Sequence, residues 1–411
     1  MESRPGTRRR GPIIVAGPLA PFVQGLRRDL ASQGYALDTV GDHVHLLADL
    51  SGWLSGRGLS VADLTTQVAG EFLRERRAAG RRVGVTPRGL APVLEYLRRV
   101  RVAPPDAVVG AATPLEILLV EYRAHLVGER GLSAGTATHY LRCARTFLTW
   151  LSAPLAQALP AMSAGQVTDY VLGWAARRNG KAGDTVTLPA LRSLLRFLHV
   201  AGHVPRPLVA AVPAARRRPT HVGVPRATSP DHVRAVLAGC DRASAAGRRD
   251  YAILLVLARL GLRAGEVAAI TLDDVDWRSG MLLVHGKGSR EDALPLPTDV
   301  GEAIVSYLRR RPRCECRALF LRVTAPRQGL NRCTVAWVVR AACDRAGLPR
   351  VGAHRLRHTA ATGMLQAGAS LPEIGQVLRH REPKTTAIYA KVDHAALRAL
   401  ARPWPTPGGV S

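Results

Sequence analysis

Hydrophobic residues in the first half of the chain recur every three or four positions, which is the period of an amphipathic helix. In the segment 60–77, for example, Leu64, Val68 and Phe72 follow this spacing. Stretches that contain several prolines interrupt the pattern and prevent regular helix. The N-terminal half is therefore predicted to form helical bundles of about four helices each.

These interruptions divide the chain into segments of different character. A chain of 411 residues is longer than one hydrophobic core usually supports, so we expect more than one domain. We predict a helical module at 1–102, a second helical module at 114–203, a basic proline-rich linker at 204–228, an α+β domain at 229–400 and a flexible tail at 401–411.

The two helical modules resemble each other. Thr39 lies fourteen positions before Trp53 in the first module, and Thr136 lies fourteen positions before Trp150 in the second. A helical segment that starts with Ser and a segment rich in Leu and Arg follow in both. We interpret the first module as a diverged duplicate of the second, although two amphipathic bundles can also share such a pattern by chance.

The third segment mixes helical and strand periods. Ser229 followed by Pro230 is a typical helix start, with an N-cap and a proline in the first turn. An apolar helix is predicted at 249–260, and two short strands at 281–285 and 293–296 enclose a glycine-containing turn. This order predicts a mostly helical α+β domain with one small antiparallel sheet.

The charge balance then indicates a class of ligand. The chain has 58 Lys and Arg against 31 Asp and Glu, a formal net charge of +27. Such a charge repels itself in the folded protein, and nucleic-acid phosphate is the commonest partner that neutralises it. An arginine bias from a GC-rich genome is the alternative explanation.

Apolar runs and cysteines limit the compartment. The longest apolar run, 251–258, is far shorter than the roughly 20 residues that span a bilayer. Prolines interrupt the apolar stretch 11–23, which would otherwise resemble a secretion signal. Cys314 and Cys316 are close together but have no second ligand pair for zinc. We expect a cytoplasmic protein with reduced thiols, no membrane segment and no metal or cofactor.

Several candidate residues for phosphate chemistry lie in the third segment. Arg263 follows a helix-ending Gly261, and Glu266 is three residues later, where it could orient the guanidinium. Lys287 lies in the predicted hairpin turn and could reach into a groove. Each residue alone would be interpreted as an ordinary solvated cation.

Two further signals follow in order along the chain. His354 and Arg357 are three positions apart, so they share a face if this segment is helical. Arg binds phosphate with a bidentate fork, and His can exchange a proton near neutral pH. His380 then precedes Tyr389 by nine positions. A tyrosine in such a place is, taken alone, more often a packed amphipathic residue.

Together these residues resemble the active site of the tyrosine recombinase, or phage integrase, family. That family carries Arg, Lys, His-x-x-Arg, His or Trp, and Tyr in this order, and the matching positions here are Arg263, Lys287, His354, Arg357, His380 and Tyr389. The run from His354 to Thr362 and the T-T-x-x-Y context are the most specific matches. Arg379 is a departure, because the family usually has Gly before the second His. The resemblance covers about 229–400.

The resemblance implies a fold and a reaction. It implies a SAM-like helical core-binding bundle, similar to 114–203, followed by an integrase-type catalytic domain. Tyr389 would attack a DNA phosphate and form a 3′-phosphotyrosyl bond. Arg263 and Arg357 would bind the nonbridging oxygens. His354 would help to take the phenolic proton, and religation would need neither ATP nor metal.

The remaining roles concern the leaving group and the partners. Lys287 would protonate the departing 5′ oxygen, and His380 would hydrogen-bond the phosphate. The expected partner is double-stranded DNA at a specific site, bound by a homo-tetramer alone or with related recombinases. Candidates for contacts with the DNA backbone are the basic residues of the linker, Arg216, Arg217 and Arg218.

Alternatives remain open at this stage. A type IB topoisomerase uses the same residue types for nicking and closing, and a catalytically silent DNA-binding relative would keep the fold. The cluster Asp273, Asp274 and Asp276 could suggest a metal-dependent nuclease, although such clusters are usually solvated loops. The sequence leaves open phage integration, transposition and chromosome or plasmid resolution.

Overall fold

The computed structural model describes residues 13–105, 113–177, 187–213, 227–286, 290–379 and 382–392. The chain divides into two compact units, which are described separately. The first unit combines Met1–Val61, Arg76–Val100 and Pro219–Ser411, and the second combines Ala62–Glu75 and Arg101–Arg218. The predicted tail at 401–411 lies outside the described residues.

Helices fill the N-terminal half, as the hydrophobic pattern predicted. Among the described residues up to 213, the α-helices are α1 Val23–Ser32, α2 Leu37–Gly56, α3 Thr66–Ala78, α4 Pro87–Arg99, α5 Pro114–Ala124, α6 Ala134–Trp150, α7 Leu155–Ala158, α8 Ala164–Arg177 and α9 Thr187–Val200. Hydroxyl side chains start several of them, for example Ser133, whose Oγ accepts from the N–H of Thr136. The duplication of the two modules stays a prediction.

The core of the second unit forms mainly between α5, α6, α8 and α9. Tyr122 is fully buried there and donates a hydrogen bond of 2.9 Å to the Ser193 Oγ. The first residues of the predicted linker also belong to this core, because Val204, Leu208 and Val212 are buried in it.

The predicted α+β domain is confirmed in the described part of 227–392. Its elements are α10 Pro230–Ala238, α11 Ala245–Leu260, α12 Ala264–Ala269, β1 Val275–Asp276, β2 Met281–His285, β3 Glu291–Pro295, α13 Thr298–Leu308, α14 Arg332–Arg345, α15 Ala353–Gln366, α16 Leu371–Val377, α17 Pro383–Thr386 and a 3₁₀-helix at Ala387–Val392. Ser229 caps α10 by accepting from the N–H of His232, as expected from the sequence.

The sheet of this domain is small and antiparallel, with the order β1-β2-β3 among the described strands. Met281 pairs with Pro295 and His285 pairs with Glu291, so the two strands are antiparallel neighbours in the chain. Leu282 and Val284 are fully buried, which places the inner face of β2 on the core.

Helix α11 is the centre of this core and fixes the position of the site. Its residues 252–257 are all buried, and it packs against α13 and α15. The helix ends at Gly261, which has a φ of +58°, a left-handed conformation that glycine adopts without a Cβ penalty. The turn therefore carries the chain directly into α12, beside the first turns of α15.

The structure also bears on membrane, disulfide and metal features. None of the helices in the described ranges is long and apolar enough to cross a bilayer. All six cysteines are described, and each is a free thiol. Within the described residues, no cluster of three or more His, Cys, Asp or Glu side chains is arranged to hold a metal ion.

Candidate active site

Arg357 is the buried cation of the site. Its side chain is 1% exposed, and its guanidinium donates to the Gly261 carbonyl at 2.6 Å and to the Leu378 carbonyl. Burial, together with the charge of Arg263, lowers the pKa of Arg357 to about 10, so the group stays protonated at neutral pH. The buried cation thus ties α15 to the end of α11 and to the end of α16.

Arg263 is the N-cap residue of α12, and Glu266 orients it. The carboxylate of Glu266 accepts from the Arg263 N–H at 2.8 Å and from its guanidinium Nη1 at 2.6 Å. Burial tends to raise the pKa of Glu266, but the hydrogen bonds from Arg263 and the charge of Arg379 outweigh it, so the pKa is lowered. Glu266 is therefore an anion that holds Arg263 in place, as its position three residues later suggested.

Arg379 is a third cation at the site. From the sequence it was identified only as a departure from the family motif, which usually has Gly at this position. It has a φ of +54°, which explains why glycine is the usual residue there. Its side chain is 6% exposed and donates to the Glu266 Oε2 at 2.7 Å. Its Nε lies 3.9 Å from the Asp292 Oδ2. The ion pair with Glu266 holds a residue with a Cβ in a conformation that favours glycine.

A cavity of about 1360 Å³ opens beside these groups. It lies among the start of α12, the β2–β3 hairpin and the residues around α16 and α17. The arginines that line it are Arg263, Arg290, Arg332 and Arg379. This concentration of positive charge suits a phosphate-bearing ligand.

Helix α15 carries two histidines, and one of them contacts Tyr389. His354 and His358 are one turn apart, and their rings meet edge-on with centroids 4.4 Å apart. The His358 Nδ1 lies 2.8 Å from the Tyr389 hydroxyl. Tyr389 is 1% exposed and packs with Ile374 and Leu378. His358 was not among the residues predicted from the sequence, although its position four residues after His354 places it on the same face.

The electrostatics of this cluster favour neutral imidazoles. Burial, then the charges of Arg357 and Arg263, lower the pKa of His354. Burial, then His354 and Arg357, lower the pKa of His358 to about 4. Burial raises the pKa of Tyr389, while Arg357 opposes that effect. The cluster thus places a phenol that ionises less readily than usual beside a neutral imidazole, whose lone pair can accept the phenolic proton.

The aspartates that could have suggested a metal site are engaged by other groups. Asp274 lies 2.8 Å from the His285 Nε2, through its Oδ1. Asp273 accepts from the Arg317 Nε at 3.1 Å, and Asp276 accepts from backbone N–H groups of its own turn. Their carboxylates therefore stabilise the start of the sheet.

The predicted site residues divide into two groups. Lys287, His380, Arg216, Arg217 and Arg218 lie outside the described residues. Among the others, the end of α11 brings Arg263 and Arg357 together, and His358 contacts both His354 and Tyr389.

Comparison with protein families and curated sequences finds close similarity. The model of the phage integrase family matches residues 226–396. A protein of Sinorhizobium fredii named as an integrase/recombinase, y4rA, is 39% identical over 394 residues, which cover 95% of each chain. The tyrosine recombinase XerC of Pelobacter propionicus is 33% identical over 285 residues, 68% of this chain and 92% of its own.

Solved structures share the fold. The XerH site-specific recombinase bound to a palindromic difH substrate, in a post-cleavage complex, matches with a TM-score of 0.52 and 18% identity over 80% of this chain and 93% of its own. A lambda integrase tetramer bound to a Holliday junction matches with a TM-score of 0.50 and 18% identity over 75% of this chain and 88% of its own.

Proposed function

The chain belongs to the phage integrase family of tyrosine recombinases, and from that premise we propose that it cuts and rejoins DNA at a specific site through a 3′-phosphotyrosyl intermediate on Tyr389. The observation that carries the proposal is the hydroxyl of Tyr389, which lies 2.8 Å from the Nδ1 of His358 on α15; the preceding residue is the buried cation Arg357. A phenol set among cations and neutral imidazoles suits a nucleophile that attacks a phosphate.

The proposed roles follow the chemistry of phosphoryl transfer. Negative charge grows on the nonbridging oxygens as the phosphorus becomes five-coordinate, and Arg263 and Arg357 would bind those oxygens. Loss of one such preorganised donor costs roughly 3–4 kcal/mol of barrier, which is about 160-fold to 900-fold in rate. By the resemblance, His354 would help to take the phenolic proton, His380 would hydrogen-bond the phosphate, and Lys287 would protonate the 5′ oxygen that leaves.

The covalent intermediate keeps the energy of the cut bond, so a second DNA strand can displace Tyr389 without ATP. We propose that a homo-tetramer carries out the exchange on double-stranded DNA in the cytoplasm. The fold shared with a lambda integrase that is a tetramer on a Holliday junction supports this assembly. The large positive charge of the chain supports the DNA partner.

We also propose that 114–203 is the core-binding domain and that 1–102 is its diverged duplicate, with extra contacts to DNA. Helices of similar number in the two segments, among the described residues, support the duplication. A packing role for the first segment is the competing proposal. One contact supports that packing role. The Arg327 N–H donates to the Gln33 carbonyl at 2.9 Å, which joins the loop after α1 to the catalytic segment.

The test begins with selection of a binding site from a random duplex library. A nicked suicide substrate built on that site then traps the covalent adduct. Wild-type protein is expected to form an SDS-resistant adduct, and Tyr389→Phe is expected to bind the DNA and form none. Tyr251→Phe is the matched control, since Tyr251 lies in the same unit with its ring on Arg242. An adduct with the Tyr389 variant would refute the proposal.

A further inference from the structure

The hydroxyl of Tyr389 has a partner that is absent from the set of six residues named above. His358 lies on α15, four residues after His354, and its Nδ1 is 2.8 Å from the Tyr389 oxygen. The two rings are tilted by 60° with centroids 5.6 Å apart. This geometry is a hydrogen bond between an imidazole nitrogen and the oxygen atom that would attack phosphorus.

A buried phenol needs a proton acceptor at this position. With an ordinary pKa near 10, only about one phenol in a thousand is ionised at pH 7. Tyr389 is 1% exposed, and its burial raises the pKa further. Bulk water therefore has little access to the proton, and a group already in contact with the oxygen has the advantage.

His358 is suited to accept that proton. Burial, then the neighbouring His354 and the positive charge of Arg357, lower its pKa to about 4, so the ring is neutral and a lone pair is available. A bound DNA phosphate would bring negative charge toward the cations Arg263 and Arg357. Because that charge offsets the cations, it would make His358 more basic as the five-coordinate phosphorus forms.

We propose that His358 is a catalytic residue that accepts the phenolic proton as Tyr389 attacks DNA. The inference rests on the function proposed above. The Tyr389 oxygen forms a bond to phosphorus while the bond from phosphorus to the 5′ oxygen breaks. The phenolic proton moves to His358 Nδ1, and Lys287 supplies a proton to the 5′ oxygen. On religation the attacking 5′ hydroxyl returns its proton to Lys287 and the imidazolium returns its proton to Tyr389, so protons and charge balance over the cycle.

This assignment separates the roles of the two histidines. The resemblance makes His354 the proton acceptor, but its ring lies edge-on against His358, and part of its side chain is exposed at the first turn of α15. His354 is therefore free to hydrogen-bond the phosphate while His358 serves the nucleophile. Deprotonation and phosphate binding would then depend on different side chains, which makes them separable by mutation.

The first experiment measures the single-turnover rate of adduct formation with the suicide substrate at saturating protein, from pH 6 to pH 9. His358→Asn keeps a hydrogen-bonding group near the position of Nδ1 but does not accept a proton. We expect its rate at pH 7 to fall about 100-fold or more, with DNA affinity within twofold of wild type. We also expect its rate to rise about tenfold per pH unit, because Tyr389 must then ionise unaided. His358→Gln replaces the Asn variant if the latter does not melt cooperatively.

A second experiment separates proton transfer from simple positioning. Replacement of Tyr389 by 2,3-difluorotyrosine gives a more acidic phenol, which depends less on a base. We expect it to recover at least tenfold of the lost rate in the His358→Asn background. His232→Asn is the control for loss of a histidine in the same unit, and it should cleave like wild type.

The outcomes distinguish the two proposals. If wild-type protein forms no adduct, the proposed function fails. If wild-type protein forms it and His358→Asn cleaves within threefold of wild type, the role of His358 alone is refuted. A loss that is equal at every pH and that difluorotyrosine does not recover would also overturn proton transfer, because it would leave His358 a purely structural contact.

Discussion

Replacing Arg379 by glycine restores the residue that the family usually has at this position, and the structure predicts that the change is harmful. Arg379 has a φ of +54°, and its buried guanidinium binds the Glu266 carboxylate at 2.7 Å. Arg379→Gly relieves the backbone strain but removes one partner of a buried ion pair. Arg379→Ala removes the same partner and keeps the strain, so the two variants separate the two effects.

The magnitudes follow from these contacts. Removal of one partner from a buried ion pair costs about 3–5 kcal/mol, and we expect the lower end because Arg263 still binds Glu266. A left-handed residue with a Cβ costs about 1–2 kcal/mol. Arg379→Ala should therefore lose about 3 kcal/mol of unfolding free energy, and Arg379→Gly about 2 kcal/mol. Glycine should be more stable than alanine, the reverse of their order inside a helix.

Hydrogen exchange of peptides from α11 and α15 under increasing urea measures this unit alone. The pKa of Glu266 is lowered in the folded protein. The stability that its ion pairs contribute is therefore fully present above the pKa of the unfolded state, and it is lost as pH falls through the folded pKa. The deficit of both variants should therefore shrink in acid. Equal stability of wild type and both variants would refute the ion-pair argument, and an alanine variant more stable than the glycine variant would refute the strain.

Three further predictions concern other parts of the molecule. Gly261→Ala should lose about 2–4 kcal/mol of unfolding free energy in the same exchange experiment, because of the left-handed φ and because its Cβ would lie 2.7 Å from the Leu378 side chain. A loss no larger than that of the control Gly301→Ala would contradict this prediction. The hydrogen bond to Asp274 raises the pKa of His285. Wild type should therefore be more stable than His285→Gln, with the largest difference below about pH 6.5, and this difference should disappear as pH rises through the folded pKa. A stability difference that grows with pH would count against the prediction. Replacing Arg216, Arg217 and Arg218 by Ala should make the log–log salt dependence of DNA binding shallower by roughly 3 units, and an unchanged slope would mean that these residues do not contact phosphate.

Local sequence signals were enough for much of the fold. The cap at Ser229, the end of α11 at Gly261 and the strand at 281–285 all lie where the sequence predicted them. Each depends on hydrogen bonds or hydrophobic periods within a few residues. The helical face that carries His354 and Arg357 also follows from spacing alone.

The contacts that complete the site join distant parts of the chain. The bond between His358 and Tyr389 spans 31 positions, and the pair of Arg379 with Glu266 spans 113. The sequence contains both residues of each pair, but a single sequence does not show which residues meet. The strain at Arg379 was also hidden, because an arginine does not signal a left-handed conformation in the way that a glycine does.

The central claim is that Tyr389 carries the DNA, and one measurement tests it most directly. Trypsin should release the nucleophile within the peptide Thr385–Lys391, since Lys384 precedes it and Lys391 ends it. After nuclease digestion of the trapped adduct, mass spectrometry should find the remaining nucleotide on this peptide. Fragmentation should locate it on Tyr389, joined through a 3′ phosphate. A nucleotide on any other residue, or one joined through its 5′ end, would contradict the account.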